Sequence, residues 1–454
     1  MIASIINFSQ LEDRIDAEYF KPEYLKLEKI LNNQENITEL NSLAKEINCG
    51  PFGSLILKEH YLNKGLPLLR ITNLKDIIID EEDLVFINQE LDNKLKKYIV
   101  NPYDIVASQR GTIGIFAQVN NSYSNWIISA NLIAIKQSER INFTYLLILL
   151  NSKYGINQLK RKISGQIQEK ITTDDIKSLK IYVAPSSFQQ HIEDLVKLSF
   201  EKRKQAEEKY QEAEKILEKE LEIEGFDFEK TEKTFEAKFS EINDRLDAEY
   251  YQPKYNLINK LLNNQKTITK QLCDLVKIRK GIEVGHEAYI DKGIPFIRVA
   301  DFNEKEVEIS SSTNFIRSYL YTQLKKIHKP NPDEIIFSKD GTIGKALVVS
   351  NSFNEFIVSS GILILSPRNI DHYYLSLVLN SPLTKQQTQR NSIGTVIQHL
   401  QIDQTKKIKI PVLSQNVQRR ISSCIQQSFS LRQESKELLE KAKKEVEELI
   451  EKRK

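Results

Sequence analysis

Residues 13–33 read DRIDAEYFKPEYLKLEKILNN, and residues 244–264 read DRLDAEYYQPKYNLINKLLNN. The two stretches agree at too many positions for the match to be chance. The agreement continues at nearly the same spacing, because GLPLLRIT at residues 65–72 pairs with GIPFIRVA at residues 293–300. An internal repeat of this kind has to be identified before the fold is predicted, since it determines the architecture.

The repeat continues into the closing segment of each copy. GTIGIFAQVNNSYSN at residues 111–125 pairs with GTIGKALVVSNSFNE at residues 341–355, and SGQIQEKITTDDIKSLKIYVAP at residues 164–185 pairs with IGTVIQHLQIDQTKKIKIPVLS at residues 393–414. A long charged segment follows each copy. The spacing of about 230 residues is far longer than the 20 to 50 of a solenoid repeat. The sequence therefore predicts two domains of like fold.

Length and composition agree with this division. A single core stops growing at about 250 to 300 residues, so a chain of 454 residues predicts at least two domains. The fractions of hydrophobic residues, 40%, and charged residues, 28%, are typical of a folded globular protein. The formal net charge is only +3, which excludes a strongly basic, non-specific nucleic-acid binder. Any nucleic-acid binding must come from local patches.

The cysteines and histidines show no metal-binding pattern. Cys49, Cys273 and Cys424 lie far apart, and none belongs to a C-x-x-C pair, which argues against a zinc site or a disulfide framework. The six histidines show no H-x-x-x-H spacing. The sequence has no uninterrupted apolar run of about 18 residues, and residues 1–14 lack a basic region before an apolar stretch, so we expect neither membrane insertion nor export. We expect a cytoplasmic protein with reduced thiols, no metal, no cofactor and no membrane partner.

Each copy changes its hydrophobic pattern along its length. Residues 13–33 have helical apolar spacing and are interrupted by Pro22, so they predict two short helical pieces. From residue 40 to about residue 135, short β-branched runs lie between Gly, Asn and Pro turns and predict a β-rich module. Helical spacing resumes at residues 143–159.

The charged segments at residues 186–224 and 414–454 carry apolar residues at helical spacing and predict two long amphipathic helices. Neither can bury its apolar stripe alone, so we expect them to pack as an antiparallel pair. The alternative is that they are solvated spacers or separate partner-binding arms. The predicted fold class is α+β, with β-rich domains at residues 1–185 and 225–413, each followed by one of the two helices.

Several features of the repeat occur together in one known family. They are the turn Gly50-Pro51-Phe52-Gly53-Ser54, a P-x-x-R element at residues 67–70 and 295–298, a GTIG turn after an apolar strand, and a long closing helix. In this combination, which covers nearly the whole chain, the sequence resembles the specificity subunit of type I restriction-modification systems.

The sequence departs from its own pattern in two places. The second copy has Gly281-Ile282-Glu283 where the first has Gly50-Pro51-Phe52, and Lys345 has no basic counterpart at Ile115.

The resemblance implies a division of labour between subunits. Each β-rich module would be a target-recognition domain for double-stranded DNA, and the helices would set the gap between two half-sites. Methyltransferase (modification) subunits, expected to be two, would dock on the helical region, and restriction/translocase subunits would join them. Catalysis would belong to those partners.

Polar and basic side chains at predicted turns and strand ends are the candidate DNA contacts. Arg bridges guanine O6 and N7, Gln bridges adenine N6 and N7, and small polar groups contact phosphates. The residues selected on this basis are Arg70, Thr72, Gln109, Arg110, Thr112, Gln166 and Gln168 in the first copy and Lys280, Arg298, Lys339, Thr342 and Gln398 in the second.

These candidates also have structural interpretations. GTIG alone fits an ordinary β-turn, and Arg70 and Arg298 fit structural ion pairs. Basic clusters that would face phosphates fit an ordinary solvated surface equally well. These clusters are Lys94, Lys96 and Lys97; Lys160, Arg161 and Lys162; Lys277, Arg279 and Lys280; and Lys406, Lys407 and Lys409.

Sequence motifs for catalysis are missing. Asn101-Pro102-Tyr103 looks like part of a methyltransferase N-P-P-Y motif, but its counterpart Asn331-Pro332-Asp333 lacks the aromatic residue, so we interpret both as turns. The chain has no P-loop, and no D/E-x-K triplet follows Asp333 before residues 434–436, which weakens a nuclease hypothesis. We predict a DNA reader that is not an enzyme. The alternative is a coiled-coil scaffold that binds only proteins, which the near-neutral charge also fits.

Overall fold

A computed structural model describes residues 6, 15–51, 55–75, 77–81, 83–88, 95–110, 113–163, 170–228, 230–242, 245–262, 268–310, 312–350, 355–394 and 398–452. The chain divides into two compact units. The first unit comprises Met1–Lys202 and Glu434–Lys454, and the second unit comprises Arg203–Gln433.

The helices and strands follow the repeat. The helices are α1 (Pro22–Asn32), α2 (Leu40–Leu43), α3 (Phe143–Leu150), α4 (Lys153–Lys162), α5 (Thr173–Lys177), α6 (Ser186–Glu220), α7 (Pro253–Leu262), α8 (Leu272–Leu275), α9 (Ser318–His328), α10 (His372–Asn380), α11 (Pro382–Asn391), α12 (Ile402–Lys406) and α13 (Gln415–Lys452).

The strands of the first copy are β1 (Ile37–Glu39), β2 (Glu46–Cys49), β3 (Leu66–Leu69), β4 (Leu74–Lys75), β5 (Ile78–Ile79), β6 (Val85–Ile87), β7 (Ile99–Val100), β8 (Ile105–Ser108), β9 (Phe116–Gln118), β10 (Trp126–Ile128), β11 (Leu132–Lys136) and β12 (Lys180–Tyr182). Those of the second copy are β13 (Ile268–Gln271), β14 (Val276–Lys280), β15 (Tyr289–Ile290), β16 (Ile294–Ile297), β17 (Asn314–Ile316), β18 (Ile335–Ser338), β19 (Ala346–Val348), β20 (Ile357–Val358), β21 (Ile362–Pro367) and β22 (Lys409–Val412).

Two four-stranded sheets form the centre of the first unit. One has the order β2-β11-β8-β9 and is antiparallel, and the other has the order β6-β3-β10-β7, in which β3 and β10 run parallel. The first sheet is buried on both faces, because successive side chains of a strand point to opposite sides. Ile133 and Ile135 join the core that contains α3, whereas Leu132 and Ala134 join the core of the second sheet.

The second unit repeats this construction. Its sheets have the orders β14-β21-β18-β19 and β15-β17-β16-β20, and β16 and β20 run parallel. Leu363 and Leu365 point into the core with α10, whereas Ile362 and Ile364 point to the other face. In each unit a further two-stranded sheet pairs the first strand of the copy with the last, as β1-β12 and as β13-β22. The predicted α+β duplication is therefore confirmed.

The buried helices α3 and α10 begin at equivalent caps. The Asn142 side chain accepts hydrogen bonds from the amides of Thr144 and Tyr145, and the Asp371 side chain accepts one from the amide of Tyr374. Such side chains satisfy amides that have no partner within the helix. One turn in, the hydroxyls of Tyr145 and Tyr374 donate to backbone carbonyls of β12 and β22. Each buried helix is thereby tied to the strand that closes its own module.

The long helices agree with the predicted segments to within four residues at each end. In the first unit, the Ser199 hydroxyl lies 2.9 Å from the Ser435 hydroxyl, and His191 Nε2 lies 2.8 Å from Glu445. These pairs run in opposite directions along the two helices, so the pairing is antiparallel. In the second unit, the ion pairs Glu207–Arg432 and Glu220–Arg420 give the same direction.

Two local predictions need correction. Within the described residues 15–33, only the second half is an α-helix, α1. It begins at Pro22, because proline suits the first helical turn but cannot lie inside the helix. The predicted helix at residues 143–159 is two helices, α3 and α4. Asn151 ends the first, and the Ser152 hydroxyl accepts from the amide of Tyr154 to start the second. Apolar spacing alone does not reveal this break.

Candidate nucleic-acid interface

In the second unit, the ends of several strands meet at one edge of the sheets. Lys280, the last residue of β14, pairs with Leu363, and Ser338, the last residue of β18, pairs with Ile362. Lys339 continues from β18, and its amide donates to the Gly361 carbonyl at 2.9 Å. Lys280 and Lys339 therefore lie on either side of the start of β21. We call the set Lys280, Lys339, Asp340, Gln398 and His399 the second edge.

Asp340 is the centre of the second edge. Its carboxylate forms an ion pair with Lys339 Nζ at 2.5 Å and lies 2.9 Å from His399 Nδ1. The backbone adds further ties, because Gly341 N donates to the Gln398 carbonyl at 2.9 Å. Burial alone would raise the pKa of the Asp340 carboxyl, but the hydrogen bonds from Lys339 and His399 outweigh burial and lower it. The carboxylate is thus held in its charged form at neutral pH.

The GTIG segment is a turn between β18 and β19. Gly344 has a φ of 87°, and its first-unit counterpart Gly114 has a φ of 83°, a region that glycine adopts at little cost. The Ser338 hydroxyl donates to the Thr342 carbonyl at 2.7 Å and accepts from the Lys345 amide. The segment's geometry is accounted for by this turn, while the exposed Thr342 remains available at its tip.

Arg298 and Arg70 occupy equivalent positions directly after β16 and β3. The Arg298 guanidinium donates to Asp301 at 3.2 Å and to the Ser312 carbonyl, and its amide donates to the same Asp301 carboxylate. The Arg70 guanidinium donates to the Asp83 carbonyl. Both side chains therefore make contacts within their own units that hold the following loop. The contact of Arg298 is an ion pair, as its structural interpretation expects, whereas that of Arg70 is with a backbone carbonyl.

The first unit has a corresponding edge, built by the same backbone pairs. Gln109 N donates to the Asn131 carbonyl at 2.9 Å, and Ile171 N donates to the Gln109 carbonyl. Arg110 forms a β-bridge with Lys170, as Asp340 does with His399. We call the set Cys49, Gln109, Arg110 and Lys170 the first edge.

The two edges share a backbone but differ in chemistry. Arg110 and Lys170 are both basic, whereas their counterparts Asp340 and His399 are an acid and an imidazole. An amide, Gln109, likewise stands where the second edge has Lys339. In the first edge, Cys49 Sγ lies 3.4 Å from Gln109 Oε1. Two surfaces of like geometry therefore present different donors and acceptors, which is the property that reading two different base sequences requires.

One family model matches both copies. The model, described as Type I restriction modification DNA specificity domain, matches residues 5–215 and residues 264–447. The chain belongs to the type I DNA specificity family. The two matched ranges cover both edges and most of both long helices, so the family assignment applies to each copy of the repeat.

Solved structures of specificity subunits are similar to this member of the family over most of its length. The S subunit of a type I restriction-modification system from M. genitalium shares 14% identity over 92% of this chain and 96% of its own, with a TM-score of 0.39. The HsdS subunit from Thermoanaerobacter tengcongensis shares 16% identity over 92% of this chain and 95% of its own, with a TM-score of 0.30. A comparison with curated protein sequences finds no significant match.

For this specificity-family chain, the edges gather part of the predicted site. Gln109 and Arg110 lie in the first edge, and Lys280, Lys339 and Gln398 lie in the second. Thr72 is exposed in the loop that follows Arg70, and it belongs to neither edge. Three predicted residues, Thr112, Gln166 and Gln168, lie outside the described residues.

Sequence reasoning missed Asp340, His399 and Lys170. The signal was present in the aligned closing segments, where Lys170 and His399 occupy the same position of the repeat. An acid, a lone histidine and a lone lysine have no distinctive local pattern in a sequence. Only the backbone pairing places Asp340 opposite His399 and Arg110 opposite Lys170.

Two members of the predicted basic clusters make contacts inside their units instead of forming a free cationic surface. Arg279 pairs with Glu334, and Arg161 pairs with Glu28 at 2.7 Å. Within the described parts of the chain, no group of three or more His, Cys, Asp or Glu is arranged to hold a metal ion. In the same residues, no helix is long and apolar enough to cross a bilayer.

Proposed function

We propose that this chain reads a bipartite DNA target, with the first and second edges each contacting one half-site. The observation that carries the proposal is the recurrence of one backbone edge in two copies with different side chains on it. Because the chemistry differs, the two half-sites should differ in sequence. Family membership already makes the chain a DNA specificity protein, and this proposal adds how the recognition is divided.

The exposed polar groups of the edges are the proposed base contacts. Arg110, Lys280 and Gln398 are exposed, and Gln109 and Lys339 are partly exposed at the strand ends. Arg and Lys favour guanine, and Gln favours adenine. The remaining predicted residues, Arg70, Thr72, Thr112, Gln166, Gln168, Arg298 and Thr342, are proposed as phosphate contacts, supports of the loops, or further base contacts.

We propose further that catalysis lies in partner subunits. The chain would direct two methyltransferase subunits and the restriction/translocase subunits to the target, and it would itself need no cofactor. Its place of action would be the cytoplasm, where these subunits and the DNA meet. The family assignment favours this arrangement over a scaffold that binds only proteins, because the matched family is one of DNA specificity.

Methylome sequencing of the host with and without the gene tests the proposal. We expect one split motif, made of two unlike parts separated by a fixed gap, to lose its methylation when the gene is deleted. A plasmid copy of the gene should restore it. If every methylated motif persisted in the deletion strain, or if the lost motif were continuous, the bipartite proposal would be rejected. Loss of no motif would favour the scaffold.

A further inference from the structure

The repeated D-A-E-Y segment carries an aromatic ring that contacts two arginines in the second unit. The Tyr250 ring centroid lies 4.7 Å from the Arg245 guanidinium carbon and 4.4 Å from that of Arg390. Arg390 Nε also donates to the Tyr250 carbonyl at 3.0 Å. A guanidinium close to the face of an aromatic ring is attracted to it electrostatically, and this attraction persists at partly exposed sites. This part of the motif is therefore fixed against the end of α11.

Arg245 connects the D-A-E-Y segment to the residue that follows α11. Its guanidinium forms an ion pair with Asp247 at 2.6 Å and donates to the carbonyls of Arg390 and Ser392, each at 3.1 Å. Ser392 is the first residue after α11. The motif thus holds both the last turn of the helix and the residue at which the chain leaves it.

Ile393, two residues after α11, pairs with a residue of the second edge. Ile393 and His399 exchange two backbone hydrogen bonds, at 3.0 and 2.8 Å. The His399 ring contacts Asp340, and the Gln398 carbonyl accepts from the Gly341 amide. Contacts therefore run without a break from the Tyr250 ring through α11 and Ser392 to the side chains of the second edge.

The first unit repeats the pair of one tyrosine with the arginine near the end of a helix. The Arg161 guanidinium carbon lies 4.0 Å from the Tyr19 ring centroid, its Nε donates to the Tyr19 carbonyl at 2.9 Å, and its Nη1 pairs with Glu28. Arg161 lies near the end of α4, as Arg390 lies near the end of α11. Lys170, which pairs with Arg110, follows α4 in the chain, and residues 164–169 between them lie outside the described residues. One tyrosine and one arginine therefore pair near the end of the corresponding helix in both copies.

Residues 13–33 match residues 244–264, and the tyrosine–arginine pair is one contact that both stretches make. Neither tyrosine belongs to an edge, so selection for base contact does not explain the match. Each ring instead lies against the end of its helix, α4 or α11, where it can fix the direction in which the chain leaves that helix. Fixing this direction before DNA binds reduces the conformational freedom that is lost on binding.

We propose that Tyr19 with Arg161, and Tyr250 with Arg390, are positioning residues for DNA recognition, each pair serving only the half-site read by its own unit. This inference rests on the proposed function. It gives the repeated motif a role other than base contact. It also predicts that the two tyrosine–arginine pairs act independently of each other.

The test uses the full chain in complex with its methyltransferase subunits and three duplexes. One carries the motif found by methylome sequencing, and the others have the first or the second half-site scrambled. For wild type, scrambling either half-site should weaken binding. For Tyr250→Ala, the effect of scrambling the second half-site should shrink by roughly tenfold, while the effect of scrambling the first should not change. Tyr19→Ala should show the reverse.

Conservative variants separate positioning from general damage to the fold. Tyr250→Phe and Tyr19→Phe keep the ring that faces the arginines and should retain wild-type discrimination at both half-sites. If either alanine variant weakened discrimination at both half-sites equally, or at neither while wild type discriminated at both, the inference would be overturned. If the wild-type complex itself did not discriminate among the duplexes, the proposed function would fail instead.

Discussion

The residue after β14 has no room for a side chain. A Cβ atom built on Gly281 would lie 2.1 Å from the Ser359 carbonyl oxygen, and one on its counterpart Gly50 would lie 2.0 Å from the Ser129 oxygen. These neighbours are backbone atoms, which cannot move aside to make room for a Cβ as the end of a flexible side chain can. The close approach holds β14 beside the segment that carries β20 into β21, and so it sets the shape of the second edge.

We expect Gly281→Ala to destabilise the second unit by about 1 to 3 kcal/mol, as overpacking of a closed site does. For a unit of this size, that loss corresponds to a fall of about 5 °C in melting temperature, measurable by scanning calorimetry. Gly285→Ala is the matched control, because a Cβ there meets only the movable carboxylate of Glu287. Equal melting temperatures for the two variants would contradict the close-approach argument.

Asp340 predicts a pH dependence of the second unit. The pKa of its carboxyl is lower in the folded chain than the ordinary value, so its contribution to stability is present above that ordinary value, near pH 4, and is lost as the pH falls through the folded pKa. We expect Asp340→Asn to lower the melting temperature at pH 7. The difference from wild type should narrow as the pH is taken below about 4.

The exposed Asp291 provides the control for this titration. Asp291→Asn should leave the melting temperature close to that of wild type at pH 7, because an exposed surface substitution seldom changes stability by much. If the difference in melting temperature between Asp340→Asn and wild type stayed constant down to pH 3, the charge of the Asp340 carboxylate would not be its cause.

At the scale of elements, α6 and α13 are joined in the second unit by a charged group between them. Glu207 of α6 lies 2.7 Å from Arg432 of α13 and 2.9 Å from Lys305. The Arg432 side chain is only 7% exposed. Burial would raise the pKa of Glu207, but the two cations outweigh burial and lower it. The carboxylate therefore compensates a buried positive charge.

We expect Glu207→Gln to destabilise the second unit by about 1 to 2 kcal/mol, because a buried guanidinium loses its counter-ion. This expected loss of stability is smaller than that for a fully buried ion pair, because the Glu207 side chain is 38% exposed and water screens part of the interaction. Amide hydrogen exchange would locate the loss in α6 and α13. The adjacent exposed Glu208 gives the control, and Glu208→Gln should leave exchange unchanged. Similar protection in both variants would contradict the argument.

These elements also show what a sequence can predict. The long helices were predicted to within a few residues, because their apolar spacing over 35 and 38 residues is a strong periodic signal. The edges were predicted only in part. Lys339 and Gln398 stand out as polar residues at turns, but the pairing of Asp340 with His399 brings together residues 59 positions apart. Such a contact depends on strand register, which local patterns do not contain.

The contacts of residues 13–33 could not be predicted from the sequence either. The repeat made the segment conspicuous, and its helical half was predicted correctly in α1. Its tyrosine, however, contacts an arginine 142 positions away. The sequence therefore indicated that the segment matters without indicating what it touches.

At the scale of the whole molecule, the two long helices belong to both units. The division between the units falls after Lys202 within α6 and after Gln433 within α13. The helices pair in an antiparallel manner inside each unit, and in the first unit Lys202 of α6 forms an ion pair with Glu434 of α13. If the helices set the gap between half-sites, their length there is the quantity that determines it.

We therefore expect that inserting seven helix-forming residues after Lys202 and seven after Gln433 lengthens the gap in the methylated motif and leaves both half-sites unchanged. Seven residues add about 10 Å of helix, which corresponds to about three base pairs. The same insertion after the exposed Lys233, outside both helices, should leave the gap unchanged. Methylome sequencing reads gap and half-sites together. If the bases of the half-sites changed while the gap stayed fixed, the helices would not set the gap. The insertion would then have altered the edges and not the distance between the half-sites.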